Sequence, residues 1–444
     1  MTNDMTVGKP MKLLIQFMIP MCLGNIFQQF YNIMDSVVAG QFIGVNGLAA
    51  IGGTSSLMFF VTGWMNGLAT GFGILVSQMF GAKRYDRMRH YVAMSVYLMV
   101  ACSVILTAFF EIANKPILRM MNSPEAVFGD IQAYMAIIYG GLIVTGAYNM
   151  LAAFLRALGD SKSPLYFLII SAGLNIVLDI VFVAVFHLGV PGCAWATVIA
   201  QAVSAVCCLV YIVLKYPILH LKKEDMEISL NSMGRLMGLG VPMGLQFSIT
   251  AIGTIIVQGA VNVYGAAHMA GFSAACKIQN ILMTVFTAFG ATIATYVGQN
   301  RGAGKMDRVR EGVRCTQWMI LGWSVFAMLL VFFFGKYMIY IFVNPSEQDV
   351  VQAALTYYKT VFWCYPFLGS IFLYRNSLQG MGYGLVPMLG GVFELVARAL
   401  IVVLVAGKTS FAGVCMSDPA AWIAALIPLV PYYFYVMKKN SAAH

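Results

Sequence analysis

Charge is the first thing this chain has little of. Only 10% of its 444 residues are Asp, Glu, Lys or Arg, against about 25% in a soluble domain. With 60% hydrophobic residues and a mean hydropathy of +0.81, a soluble fold is excluded and the bulk of the chain belongs in lipid. At about 20 residues per span plus short loops, the length holds about a dozen helices. CxxC pairs are also missing. The nine Cys are scattered mostly through apolar segments, which reads as small packing residues in a reducing setting rather than a disulfide framework or metal site. No P-loop, dinucleotide fingerprint, HExxH or GxSxG occurs, which argues against ATP-driven or enzymatic action. The first apolar stretch is too long for a signal h-region and lacks a small-residue cleavage site, so it is expected to stay as a span.

Basic residues are scarce in the spans. The net charge of +10 could suggest nucleic acid, but its placement excludes that. Lys115, Arg119, Lys336, Lys359 and Lys408 fall in one set of loops, and Lys277 and Arg398 fall within spans. The other Lys and Arg lie in the N-terminus, the C-terminus and the alternate loops. This positive-inside pattern predicts cytoplasmic termini, with contact to acidic lipid headgroups as a secondary effect.

What is present is a duplicated set of apolar spans. Six lie near 13–39, 47–79, 91–111, 131–157, 164–187 and 193–214. Six more lie near 236–263, 267–298, 316–335, 352–378, 385–406 and 420–437. Several exceed the bilayer requirement, which implies tilt or extension. The chain therefore divides into an N-terminal lobe (1–214), a polar cytoplasmic linker (215–235) and a C-terminal lobe (236–444). QMFGAKRYDRMR at 78–89 is matched by QNRGAGKMDRVR at 299–310, at a constant offset of 221. Pro20 matches Pro242, and LGDSKSP at 158–164 matches MGYGLVP at 381–387. Six helices return the chain to its starting side, so the halves are parallel repeats about an axis along the membrane normal. The expected fold is all-α and integral to the membrane, with 12 transmembrane helices in two pseudo-symmetric lobes around a central cavity. Each matched proline removes a backbone hydrogen bond and puts a flexible point in the first helix of its half.

The charges that do occur in spans carry the chemistry. Asp35 is the only charge between Leu13 and Gly40, and a carboxylate at that depth costs roughly 2.5–3.5 kcal/mol. Gln28, Tyr31 and Asn32 precede it as a polar stripe. Asp179 is the only charge between Pro164 and His187, with Asn175 one helical turn earlier. Neither span holds a basic residue to neutralise its acid. Two carboxylates, an amide and the Thr197 hydroxyl on the next helix make an oxygen-rich site. It suits a hard cation such as Na⁺. It suits protons equally, because low polarity and a second carboxylate both favour the neutral form of an acid. Glu394 and Arg398 stand four apart, acid first, as a self-neutralising helical pair; the alternative is contact with substrate or a gate. Lys277, near Gln279 and Asn280, either snorkels or faces the cavity. Gln28, Tyr31, Asn32, Lys277, Glu394 and Arg398 are the candidates for lining that cavity. Asp86 and Asp307, in the repeated loops, read as partners of helix ends or Arg groups. The 30 Met and 30 Phe supply lipid-facing surface, core and a compliant apolar pocket.

IPMCLGNIFQQFYNIMDSVVAGQFIG, QMFGAKRYDRMR, FLRALGDSKSP and GLNIVLDIVF together resemble the multidrug and toxic compound extrusion (MATE) family over nearly the full length. The resemblance implies a drug/Na⁺ or drug/H⁺ antiporter. It is similar to the prokaryotic branch named for the DNA-damage-inducible protein F, whose first-lobe cation site would correspond to Asp35, Asn175, Asp179 and Thr197 here. A polar ligand that some members place four residues before the helix-four Arg is Ala152 here. The helix-seven acid of NorM-type members has no counterpart between Leu236 and Tyr264.

The expected function is export of amphipathic, cationic compounds from a monomer in the cell membrane. No cofactor is expected beyond the coupling ion, and the partners are small molecules and lipid rather than nucleic acid. A lipid-linked saccharide flippase of the same superfamily would need several basic cavity residues, and only Lys277 and Arg398 are candidates. A major-facilitator transporter would explain GAKRYDRMR but not the acids.

Overall fold

The computed structural model describes residues 4–121, 125–405 and 411–441, so Lys408 and the end of the eleventh predicted span lie outside the described residues. The described residues form helices and no strand. In lipid a helix satisfies its own backbone, which is why so apolar a chain takes this form. In order, the helices are α1 (Pro10–Val38), α2 (Val45–Gly81), α3 (Tyr85–Met120), α4 (Glu125–Gly140), α5 (Leu142–Ala157), α6 (Lys162–Ile180) and α7 (Val190–Lys215). The second half repeats them as α8 (Leu230–Asn262), α9 (Ala266–Gly302), α10 (Met306–Ile339), α11 (Gln348–Val361), α12 (Tyr365–Gly380), α13 (Leu385–Val405), α14 (Phe411–Cys415) and α15 (Ser417–Ser441).

Among the described residues ten helices are long and apolar enough to cross a bilayer, with α14 and α15 taken together. The predicted fourth span is a broken one: α4 and α5 bend by 48° at Gly140 and Gly141. Their counterparts α11 and α12 supply the twelfth span of the fold. Tyr357, Tyr358, Lys359, Arg375 and Asn376 dilute its apolar content, and most of these turn inward rather than to lipid.

The chain forms two compact units. The first comprises residues 1–4 and 19–247, the second 5–18 and 248–444. The chain passes from one to the other inside α1 and inside α8, so these boundaries fall within helices rather than at the linker.

In the first unit α2 is the inner helix. Met65, Leu68, Ala69 and Phe72 are fully buried along it. Gly67 and Gly71 of α2 meet Gly240 and Gly244 at the start of α8. A Cβ on Gly67 would stand 2.5 Å from the backbone N of Gly244, and one on Gly71 would stand 2.6 Å from Cα of Gly240. Glycines four apart on both helices let the backbones touch. The linker is packed rather than free. Arg89 Nε donates to Asp225 Oδ2 at 2.8 Å, and His90 lies 3.2 Å from the Asp225 carbonyl and 3.0 Å from Ser232 Oγ.

In the second unit α9 is the inner helix, and its C-terminal end is clasped by the N-terminal segment. The Met5 amide donates to Gln299 Oε1 at 2.8 Å. Asn300 Nδ2 and Arg308 Nη2 both donate to the Met5 carbonyl, and Lys305 Nζ donates to the Thr6 carbonyl at 2.9 Å. The repeated loops use their acids as the sequence suggested. Asp86 pairs with Arg89, and Asp307 lies 3.7 Å from Arg310.

Candidate functional site

Asp35 sits near the end of α1 and Asp179 near the end of α6. A π-helical turn follows each helix, over Ala39–Ile43 and Val181–Val185, and the two turns pack on each other. Such turns shift the register of the side chains before them and are frequent at functional sites. Here they accompany two acids on separate helices that face one another. Asp35 is 8% exposed, Asp179 and Asn175 are fully buried, and Thr197 is 5% exposed.

The Asn175 amide organises the group. With its nitrogen toward the acids it donates to Asp35 Oδ1 at 2.8 Å and Asp179 Oδ2 at 3.3 Å, and its oxygen accepts from the Thr197 amide at 3.3 Å. The two carboxyl groups also come within hydrogen-bonding reach of each other. Two bare carboxylates repel at that range, so the contact calls for a shared proton or a cation. Among the described residues neither acid has a Lys or Arg partner. Tyr31 Oη, Asp179 Oδ1 and Thr197 Oγ1 are buried there without a hydrogen bond of good geometry, with Tyr31 and Thr197 next to each other. Unpartnered buried oxygens are costly, and these three are oxygen donors of the kind a hard cation prefers. Tyr134 of α4 and Cys193 of α7 complete the surroundings.

The remaining candidates divide. Tyr31 joins the acids, one helical turn before Asp35. Gln28 and Asn32 are exposed, so the predicted polar stripe splits: of its four residues only Tyr31 and Asp35 are buried. Lys277 is exposed, with its ammonium 5.4 Å from the centre of the Phe342 ring.

Glu394 and Arg398 are both buried, and they are not a self-contained pair. Arg375 of α12 binds Glu394, and Arg398 Nη1 lies 3.5 Å from Glu394 Oε2. Arg398 Nε donates to Asp418 Oδ1 at 3.2 Å. Tyr357 donates to Asp418 Oδ2 at 2.8 Å and lies 2.7 Å from Gln279 Oε1. This corrects the sequence reading on one point, since Arg375 lies buried in a span rather than in a loop, and it adds Asp418, which the sequence did not single out. Arg375 stands five residues before the Gly380 turn, and Asp418 stands at the start of a helix. Local pattern reads both as boundary residues, and only their long-range partners show otherwise.

Comparison with known proteins adds to this geometry. The MatE family profile matches residues 20–181 and again 242–404. The chain belongs to the MatE family. The two matches begin at the paired prolines, so the internal repeat is the family's own unit. Among curated relatives, the chain is 29% identical to the probable multidrug resistance protein YpnP of Bacillus subtilis (strain 168), over 85% of this chain and 84% of the relative. It is 21% identical to the multidrug export protein MepA of Staphylococcus aureus (strain MSSA476), over 84% of this chain and 82% of that one. The fold matches a solved outward-facing multidrug resistance MATE transporter of the MOP superfamily with a TM-score of 0.92 at 18% identity, covering 98% of each chain. In the MatE fold the chain is thus an all-helical membrane protein of twelve spans in two six-helix lobes.

Proposed function

We propose that this MatE chain is a secondary antiporter that exports amphipathic, cationic organic compounds in exchange for Na⁺ or H⁺ by alternating access, and that it acts without enzymatic chemistry or a cofactor. The carrying observation is the acid pair. Asp35 and Asp179 meet in a buried site with no basic partner among the described residues, and unpartnered oxygens face it. Buried carboxylates of this kind are held by something positive that exchanges. The named relatives, a probable multidrug resistance protein and a multidrug export protein, support the same reading for substrate class.

Coupling follows from competition. With the acids ionised the first unit favours a cationic compound, and with a proton or Na⁺ bound it does not. A ligand shifts a conformational equilibrium only by its differential affinity for the two states, and the charge on Asp35 and Asp179 supplies that difference. The arrangement of Lys and Arg supports insertion in the cell membrane with both termini cytoplasmic. The flippase reading loses support from the buried arginines, because Arg375 and Arg398 are neutralised by Glu394 and Asp418, which leaves Lys277 alone of the two predicted basic candidates to meet a pyrophosphate.

The test is transport by purified protein in liposomes with Na⁺ and pH gradients imposed separately. One gradient is expected to drive efflux of a fluorescent organic cation. Asp35→Asn, at equal reconstitution, is expected to abolish the gradient-driven part. Undiminished gradient-driven efflux by Asp35→Asn would refute the coupling role.

A further inference from the structure

The repeat lets the first-unit acid site be superposed, position by position, on the second half of the chain. The offset of 222 that relates Pro20 to Pro242 also relates Tyr31 to Gly253 and Asp35 to Val257. The offset of 223 that relates Gly159 to Gly382 and Pro164 to Pro387 also relates Tyr134 to Tyr357, Asn175 to Arg398 and Asp179 to Val402. α6 and α13 begin at positions separated by the same 223 residues, at Lys162 and Leu385, so no gap disturbs the register.

The two versions of the site differ in one coherent way. In the first unit the Asn175 amide points a neutral donor at two acids that have no basic partner among the described residues. In the second unit a guanidinium stands at that position, against Glu394 and Asp418. Both acids of the first site are replaced by valine, and the new acids come from one turn earlier on α13 and from the start of α15, the helix that corresponds to α7. The tyrosine that fills the first site, Tyr31, becomes Gly253. A Cβ there would stand 3.1 Å from Arg398 Nη1, so the glycine makes room for the longer side chain. Tyr357 keeps the role of a buried tyrosine beside the acids, now donating to Asp418.

We propose that Arg398 is a tethered cation, filling permanently the second-unit counterpart of the site that Asp35, Asn175 and Asp179 form in the first unit. The second unit therefore takes up no exchangeable coupling cation, and ion exchange is confined to the first. The assignment deepens the antiport reading and rests on it for its functional meaning, while its structural content can be tested alone.

The test is chemical rescue. Purified full-length Arg398→Ala is titrated with low-millimolar guanidinium chloride, and its thermal midpoint is recorded beside the wild type. The variant is expected to melt several degrees lower and to recover saturably with guanidinium, while the wild type does not respond. Recovery should persist in Asp35→Asn Arg398→Ala, and should vanish in Arg398→Ala Asp418→Asn, which lacks the acid that receives the ion. No saturable recovery, or recovery that survives loss of Asp418, overturns the proposal. Because the readout is melting and not transport, failure of Asp35 as the coupling acid would leave these outcomes unchanged. If Arg398→Ala yields no folded protein, Arg398→Lys is compared with Arg398→Gln. The tethered charge of Lys should retain a midpoint near the wild type and Gln should not, and equal midpoints for the two overturn the proposal.

Discussion

At the scale of the residue, burial and partnership separate two kinds of charge. Asp35 and Asp179 were legible in the sequence because each is the sole charge in a long apolar run, and position alone implies depth. Arg375 and Asp418 were not, since each lies near a helix end where a charge ordinarily meets water. Their burial depends on partners 19 and 20 residues away, which no local pattern encodes. The distinction has an energetic consequence. Removing one member of a buried ion network leaves its partners uncompensated, at a cost of about 3–5 kcal/mol. Glu394→Gln leaves Arg375 and Arg398 with Asp418 as their one remaining acid in the network. The expected outcome is a large fall in the thermal midpoint of the purified protein. Glu311→Gln, on the exposed N-terminal part of α10, should leave the midpoint within about a degree because exposed charges contribute little. Comparable losses for the two variants would remove Glu394 from a structural role.

At the scale of the element, close backbone approach explains helix packing that hydropathy could not reveal. The spans and their repeat were readable from apolar runs and from the matched prolines and loops. The break in the fourth span was not, because the Gly140–Gly141 pair inside an apolar run reads as continuous helix until the bend is seen; in the tenth span the interruption falls at Phe362–Cys364, just before Pro366. The α2–α8 contact is of the same kind, with Gly67 and Gly71 gaining meaning only when set against Gly240 and Gly244. Gly67→Leu places side-chain atoms where the α8 backbone stands, and overpacking of that kind costs about 1–3 kcal/mol or more. The variant should melt lower and express less than Gly52→Leu, whose added Cβ meets nothing within 4 Å. The N-terminal clasp makes a second element-scale prediction. Asn300→Ala removes the donor to Met5 and the acceptor for Arg308 Nε. Limited proteolysis should then cut the first ten residues faster than in the wild type, and an unchanged rate would show that the clasp does not hold the segment.

At the scale of the whole molecule, duplication gave the chain two copies of one site, and the sequence then drove them apart. In the proposed assignment one copy keeps acids that have no Lys or Arg partner among the described residues, and the other carries its cation as Arg398. Counting sites therefore counts the Na⁺ ions that could move. On the proposed assignment, with Na⁺ as the one exchangeable cation per chain, export of a monovalent organic cation transfers no net charge. Uptake of two would transfer one, and a membrane potential would then contribute about 2.3 kcal/mol per 100 mV. The expected result in liposomes is that a K⁺ diffusion potential imposed with valinomycin leaves exchange of a monovalent cation unchanged, while the ion gradient drives it. Acceleration by an inside-negative potential, with the external cation entering, would mean that a second positive charge travels with each cycle. With Na⁺ as the coupling ion, so that Asp35 and Asp179 cannot account for it by each taking a proton, the Arg398 guanidinium could then no longer account for the second copy of the site.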